Sequence, residues 1–265
     1  MKKHYKKIIK ILILVILIFP TTSVFPIAGG GSGGGSGGGS GGGSGGRSGG
    51  SSGRGGSSGT SVESEIISGA LFIFTFVGGF EKVKHKIILK RKKDGFLSAI
   101  KEFKKYDLGW EYNNISNYIT TAFYLVQEAW TKRNQDIAKE YMSKKLYTLH
   151  KTKTEWMKVR EEKNILKDIE LLEVIPVGAL NSKDKFEDMI WVNIKCSMID
   201  YTINEKTNSI IDGNNSKHKK YEQFWKFKRD EKHWVLDEIK WPDEIEDIDS
   251  YFNIQEEKNS LDLIK

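Results

Sequence analysis

Ile190-Trp191-Val192-Asn193-Ile194-Lys195-Cys196-Ser197-Met198 sets apolar side chains at every second position against mostly polar ones between, the period of a strand with one face on a core. Upstream, residues 165–177 are rich in branched side chains and predict a second strand. Downstream strand signals fall at 209–211, 221–229 and 233–241. Between the strand signals lie Asn204-Glu205-Lys206-Thr207-Asn208, Asp212-Gly213-Asn214-Asn215 and Arg229-Asp230-Glu231-Lys232, residues suited to tight turns. An antiparallel meander is the expectation.

Before the strands the period is helical. Phe96, Ile100 and Phe103 share one helical face, with Lys101, Lys104 and Lys105 on the other. Asn114 is a candidate N-cap for a helix whose apolar stripe is Tyr118, Ala122, Leu125, Val126, Ala129 and Trp130. A short helix is expected at 135–141 and a longer one from Ser143 to about Arg160. Helices followed by a meander make an α+β domain. A curved sheet wrapped around the helix at 115–130 would bury Trp130, Trp191, Trp225 and Trp234.

Working further toward the N-terminus, composition changes sharply. Residues 29–60 hold 20 Gly in 32 positions, a stretch that cannot offset its ordering entropy by burial and is expected to be flexible. Its end-to-end distance would be about 30 Å. Residues 1–28 carry Lys2, Lys3, Lys6, Lys7 and Lys10, then an apolar run at 11–19 closed by Pro20, the layout of an export signal, cleaved or retained as an anchor. A second apolar run at 66–80 has Glu63 and Glu65 before it and Lys82, Lys84, Lys86, Lys90, Arg91, Lys92 and Lys93 after it. It predicts one transmembrane helix with a basic juxtamembrane segment at 81–95, a buried or interfacial helix being the alternative, and if it spans, the positive side is expected to face the cytoplasm. Those seven cations are also expected to meet anionic lipid headgroups.

Charge divides along the same lines. Residues 1–95 hold 14 Lys and Arg against 4 Asp and Glu, whereas residues 96–265 hold 28 against 31. The net charge of +7 is therefore a property of the tether and not of the domain, and a nucleic-acid partner is not expected. Residues 242–265 form an acidic tail, expected to be a solvated or disordered end, with docking of a partner as the alternative. Cys196 is the only cysteine, so an intramolecular disulfide is excluded.

The ordered residues resemble the translocase-subunit-44-like domain over residues 96–241. The resemblance rests on Gln127-Glu128-Ala129-Trp130, Asp136, Leu146-Tyr147, Asp200-Tyr201, Ile210-Ile211-Asp212-Gly213, Phe224-Trp225-Lys226-Phe227-Lys228-Arg229 and Trp234-Val235-Leu236. It implies a cone-shaped fold similar to nuclear transport factor two, with the sheet closing over an apolar pocket. It also implies association with anionic membranes and with translocase, ribosome or other protein partners. Bacterial members look similar in having a leader, a Gly/Ser tract and a span; with the basic flank, the expectation is a cell-membrane protein, single-pass or two-pass, with its C-terminal domain cytoplasmic.

Tyr118, Trp191, Trp225 and Phe227 are the candidate lining of the cone pocket. Asp200, His150 and His233 are the titratable groups that could serve acid–base chemistry, yet each has a plainer place at a strand end, in a lysine-rich helix or beside a turn. The residues carry no phosphate loop, paired metal-ligand histidines or nucleophile elbow, so the expectation is a non-enzymatic binding domain without a cofactor. Two alternatives are a membrane-anchored module that takes a lipid or peptide in the cone, and an exported envelope protein.

Overall fold

The computed structural model describes residues 62–231 and 233–257, with side chains from residue 82 onward. The signal segment at 1–28, the Gly/Ser tract at 29–60 and residues 258–265 lie outside the described residues. The described residues divide into two compact units, one through Lys90 and one from Arg91 onward.

The first unit is helical backbone belonging to α1 (Val62–Phe103). The apolar run at 66–80 enters only as backbone, and no helix of the described residues is long and apolar enough to cross a membrane. Lys82, Lys84, Lys86 and Lys90 are exposed. The helical face of Phe96, Ile100 and Phe103 belongs to the last part of α1 and not to a separate helix. No proline lies between residues 81 and 103 to stop the helix, and a lone glycine, Gly95, only weakens it.

In the second unit, α2 (Tyr112–Lys132) buries Ile115, Ile119, Ala122, Phe123, Val126, Ala129 and Trp130 along one face. It begins two residues before Asn114. Its N-cap is Glu111, which makes no capping bond with its side chain and instead pairs with Lys104. A 3-10 turn at Gln135–Tyr141 leads to α3 (Lys144–Val159). Ser143 caps α3 by accepting from the Leu146 amide at 3.2 Å, and the Ser143 amide donates to the Leu236 carbonyl at 2.8 Å. The start of α3 is thus tied to the sheet.

The sheet has the order β4-β3-β2-β1-β5. Strands β1 (Glu162–Asn181), β2 (Met189–Asn204), β3 (Ile210–Arg229) and β4 (Trp234–Lys240) pair antiparallel in sequence order, and β5 (Ile254–Glu256) lies parallel to β1. Register shifts after Lys167, Leu171 and Pro176 bend β1. At the first of them Asp168 has φ 49°, and Pro176, which has no amide to donate, sits at the third.

The residues expected to separate two strands at 212–215 lie inside one. His218 pairs with Ile199 and Gly213 with Tyr201, so β3 bulges between them and resumes against the same partner. The Asn214 side chain accepts from the Ser216 and Lys217 amides at 2.9 and 2.8 Å, which supplies the expected turn chemistry without a reversal. Gly213 has φ 79°, and a Cβ there would fall on the Asp200 carbonyl oxygen.

Ile190, Val192, Ile194, Cys196 and Met198 of β2 join Trp225, Phe227, Leu236, the α2 stripe, Phe96, Ile100, Phe103 and Trp110 in one core. The opposite face of the sheet is also covered, by residues that were expected to be a solvated tail. After the 3-10 turn Pro242–Glu244 and the short helix α4 (Ile248–Tyr251), Phe252 stacks on Phe224 with ring centroids 4.8 Å apart and packs against Trp191 at 5.3 Å. The Asn253 carbonyl accepts from the Ala179 amide at 3.0 Å. An acidic composition disguised this segment, because its few apolar residues are the ones that dock: Ile245 and Phe252 are buried.

Two changes test these features. Gly213→Ala should lower unfolding stability by about 1–3 kcal/mol, the cost of holding a side chain in a disfavoured backbone region, as read from urea denaturation. Phe252→Ala should cost about 3–5 kcal/mol, the range for truncating a buried phenylalanine; a loss below 1 kcal/mol would mean that the segment at 242–257 is not docked.

Candidate functional site

Asp107 begins the candidate site. One carboxylate oxygen caps the 3-10 turn Leu108–Trp110 by accepting from the Gly109 amide at 2.8 Å. The other accepts from the Arg229 guanidinium at 2.7 Å. That guanidinium lies over the Trp234 ring, 4.9 Å from its centroid, and the Trp234 indole N–H donates to the Gly109 carbonyl at 3.2 Å. A Cβ on Gly109 would collide with the guanidinium, so the absence of a side chain at 109 lets the cation lie flat against the backbone.

These groups wall an open cavity of about 400 Å³, lined also by Tyr118 of α2, Phe186, Lys185, His233 and the acidic pair Asp230 and Glu231. Leu108 and Phe186 are 75% and 56% exposed, leaving apolar surface at its rim. Tyr118 stacks on Tyr141 at 4.9 Å. Its hydroxyl and the His233 Nε2–H donate to the same Glu140 carbonyl, at 3.2 and 2.9 Å. The mouth therefore combines aromatic rings, aliphatic carbon and charges of both signs.

The four residues expected to line one apolar pocket are distributed among three places. Tyr118 is half-buried at this mouth. Trp225 and Phe227 are fully buried in the core. Trp191 lies on the other face of the sheet, beneath Phe252, because neighbouring residues of a strand point to opposite faces. Beside Val192 and Ile119 the interior has a gap of only about 10 Å³, at the lower limit of roughly 10–15 Å³ for holding one water. Sequence reasoning did not select Leu108, Gly109 or Phe186; Asp107 ahead of Gly109 was the available signal, a short acceptor that can bond its own backbone two residues on.

The seven basic residues expected at the membrane surface also divide. Lys82, Lys84, Lys86 and Lys90 are exposed and Lys93 is half-buried. Arg91 pairs with the Asp249 carboxylate. The Lys92 ammonium donates to the main-chain carbonyls of Asp249, at 2.6 Å, and of Phe252. Arg91 and Lys92 thus hold the C-terminal segment.

Asp200, the carboxylate candidate for acid–base chemistry, is bonded within the domain. Its oxygens accept from the Asn164 amide at 2.8 Å and the Tyr221 hydroxyl at 2.6 Å, while Asn164 accepts from the Trp130 indole at 3.1 Å. Burial pushes the Asp200 carboxyl up to about 6 against the effect of these bonds. His150 packs its ring edgewise against Trp130 at 5.2 Å, and burial, with Lys153 nearby, pulls it down to about 3. It stays neutral in the core. Burial raises the Cys196 thiol to about 12.

Asp188 supplies a pH test. It accepts from the Ser182 amide at 2.9 Å, its other oxygen is buried without a partner among the described residues, and burial raises it to about 6. A carboxyl that holds its proton more tightly folded than unfolded contributes stability below about pH 4, and that contribution falls as pH rises through about 6. Asp188→Asn should therefore be more stable than the parent at pH 7.5 and show a shallower decline between pH 4 and 7 in urea titrations. The slope from Asp200, of the same sign, should remain.

Residues 97–240 match the model of a protein family described as the Tim44-like domain, which bears out the resemblance read over 96–241. Two solved structures are similar to part of the chain. The intermembrane-space region of the chloroplast protein ARC6 is 10% identical, over 49% of this chain and 94% of that one, with a TM-score of 0.36. A SEC-C motif containing protein from Rhodopseudomonas palustris is 10% identical, over 45% and 77%, with a TM-score of 0.25. No curated protein matches the chain.

Proposed function

The chain belongs to the Tim44-like domain family, and on that premise we propose that it is a non-enzymatic protein-binding domain tethered at the cytoplasmic face of a membrane, where it assists translocation or insertion of other polypeptides. The family is associated with protein translocation and with membranes. The observation that carries the proposal is the open cavity beside Arg229 and Trp234. A polypeptide segment offers apolar side chains, charges and main-chain polar groups together, which matches a mouth lined by Phe186, Trp234, Arg229 and Glu231. A fatty chain offers only the first, and the gap beside Val192 and Ile119 is too small to take one.

Absence of catalysis is supported by how the titratable candidates are occupied. Asp200 is bonded within the sheet, His150 is sealed in the core and His233 is held to the Glu140 carbonyl. The exposed Lys82, Lys84, Lys86 and Lys90 support contact between the basic segment and anionic headgroups.

Replacing Phe186 with a photoreactive phenylalanine analogue in the full chain tests the proposal in intact cells. Adducts with translocating polypeptides or with components of the translocation or insertion machinery are expected, and they should weaken when Arg229→Glu is added. Adducts with lipid alone would transfer support to a lipid-binding module and overturn the protein-binding assignment.

A further inference from the structure

The family match ends at residue 240, so the segment at 242–257 that covers the second face of the sheet lies beyond it. That segment is held as a peptide ligand is held. Phe252 is buried and Ile254 half-buried, while Asn253 and Gln255 between and after them are exposed, the alternation of an extended chain laid on a sheet. The edge of β1 receives its main chain. The Ala179 amide donates to the Asn253 carbonyl and the Glu257 amide to the Asn181 carbonyl, both at 3.0 Å, and β5 pairs in parallel with residues 179–181. Gly178 leaves room for the Asn253 carbonyl oxygen, which would stand 3.1 Å from a Cβ there. In strand addition of this kind the main-chain bonds supply affinity and the places for alternate side chains supply specificity.

The groove selects aromatic and acidic side chains. Phe252 is received between Phe224 and Trp191, with ring centroids at 4.8 and 5.3 Å. At one end Arg91 pairs with the Asp249 carboxylate, and at the other the Ser182 hydroxyl and the Lys183 amide donate to the Glu257 carboxylate at 2.7 and 3.1 Å. Lys226 lies over the Trp191 ring, which adds positive charge beside the slot. The segment answers with seven Asp and Glu and no Lys or Arg at 242–257. Its attachments are nevertheless few. β5 is three residues long, and the Arg91–Asp249 pair, with side chains 63% and 41% exposed, is a surface pair of the kind that holds little.

We infer that the β1 edge at 178–183 and the slot between Trp191 and Phe224 form a second polypeptide-binding groove, in which the C-terminal segment is an exchangeable resident and the incoming partner is an acidic, aromatic, extended segment of another chain. This groove lies apart from the cavity beside Arg229 and does not depend on what that cavity binds. The sheet stays covered through the exchange, because the partner brings an aromatic ring of its own. The resident sets the threshold: joined to the domain by a few residues, it competes at an effective concentration on the order of millimolar. Segments that match the slot poorly are kept out.

Fluorescence anisotropy of a labelled peptide with the sequence of residues 242–257, added to the full chain, tests the exchange. The unmodified chain should bind it weakly. Asp249→Ala in the chain should tighten binding about threefold, the scale of one exposed ion pair, and Phe252→Ala at least tenfold, since each loosens the resident and leaves the groove intact. Asp249→Ala removes only a surface contact, so it decides the matter even if Phe252→Ala does not fold. A peptide with alanine at the position of Phe252 should fail to bind, as should one with lysine at every acidic position. Absence of binding to every form of the chain, or affinity indifferent to Asp249→Ala, would overturn the inference. Equal binding of the alanine peptide would place the contact outside the slot, and equal binding of the lysine peptide would overturn the acidic class. A molecular mass that doubles with chain concentration and returns to one copy on adding the peptide would assign the groove to the segment of a second copy, overturning a partner of another kind.

Discussion

β2 is hydrogen-bonded on both edges and almost wholly buried along its length, so the sheet at that strand has to be covered twice. On one face α2 and the end of α1 supply Ile119, Phe123, Val126, Phe96 and Phe103. On the other, cover comes from Tyr251 and Phe252 of the C-terminal segment. Each large side chain so buried contributes about 1.5–3 kcal/mol, and neither face could be left wet without forfeiting several such terms. The remaining features depend on this double cover: Arg91 and Lys92 hold the second cover in place, and the cavity opens between the 3-10 turn Leu108–Trp110 and the β3–β4 connection.

The polar groups drawn inside follow from the same compaction. Asn164 on β1, Asp200 on β2 and Tyr221 on β3 are joined across three strands, with the Trp130 indole bonded to Asn164 from α2. A buried carboxyl is tolerable when its bonds are met, and this one ties helix to sheet. At the mouth a cation is treated similarly. Arg229 is paired with Asp107 and laid on Trp234, so it presents a positioned charge in place of a freely moving one.

Much of the helical half was legible because its signals are local. Ser143 is a strong N-cap, and α3 runs as expected from just after it to just before Arg160. The tighter turn at 135–141 also falls in place. Asn114 misled for the converse reason: a good capping residue lay inside the first turn of α2, whose start is Glu111, without a capping side-chain bond. In the sheet, Asp212-Gly213-Asn214-Asn215 carried correct turn chemistry, but whether a turn reverses a strand or only bulges it depends on the partner strand. Trp191 was placed with Trp225 although strand parity sets it opposite the Ile190 and Val192 side chains; the cover beneath which it lies was hidden in an acidic segment. The site was least legible, since it forms where residues 107–109, 118, 185–186 and 229–234 converge, and no spacing along the chain announces that meeting.

The docked C-terminal segment has a consequence for the order in which the molecule is made. Trp191 and Phe224 emerge during synthesis well before Phe252, the ring that covers them, and the parallel strand that locks the segment to β1 comes later still. While the segment at 242–257 is undocked, the helices and meander leave one aromatic face of the sheet open. Until those residues dock, the open aromatic face is the kind of surface through which unfinished domains aggregate.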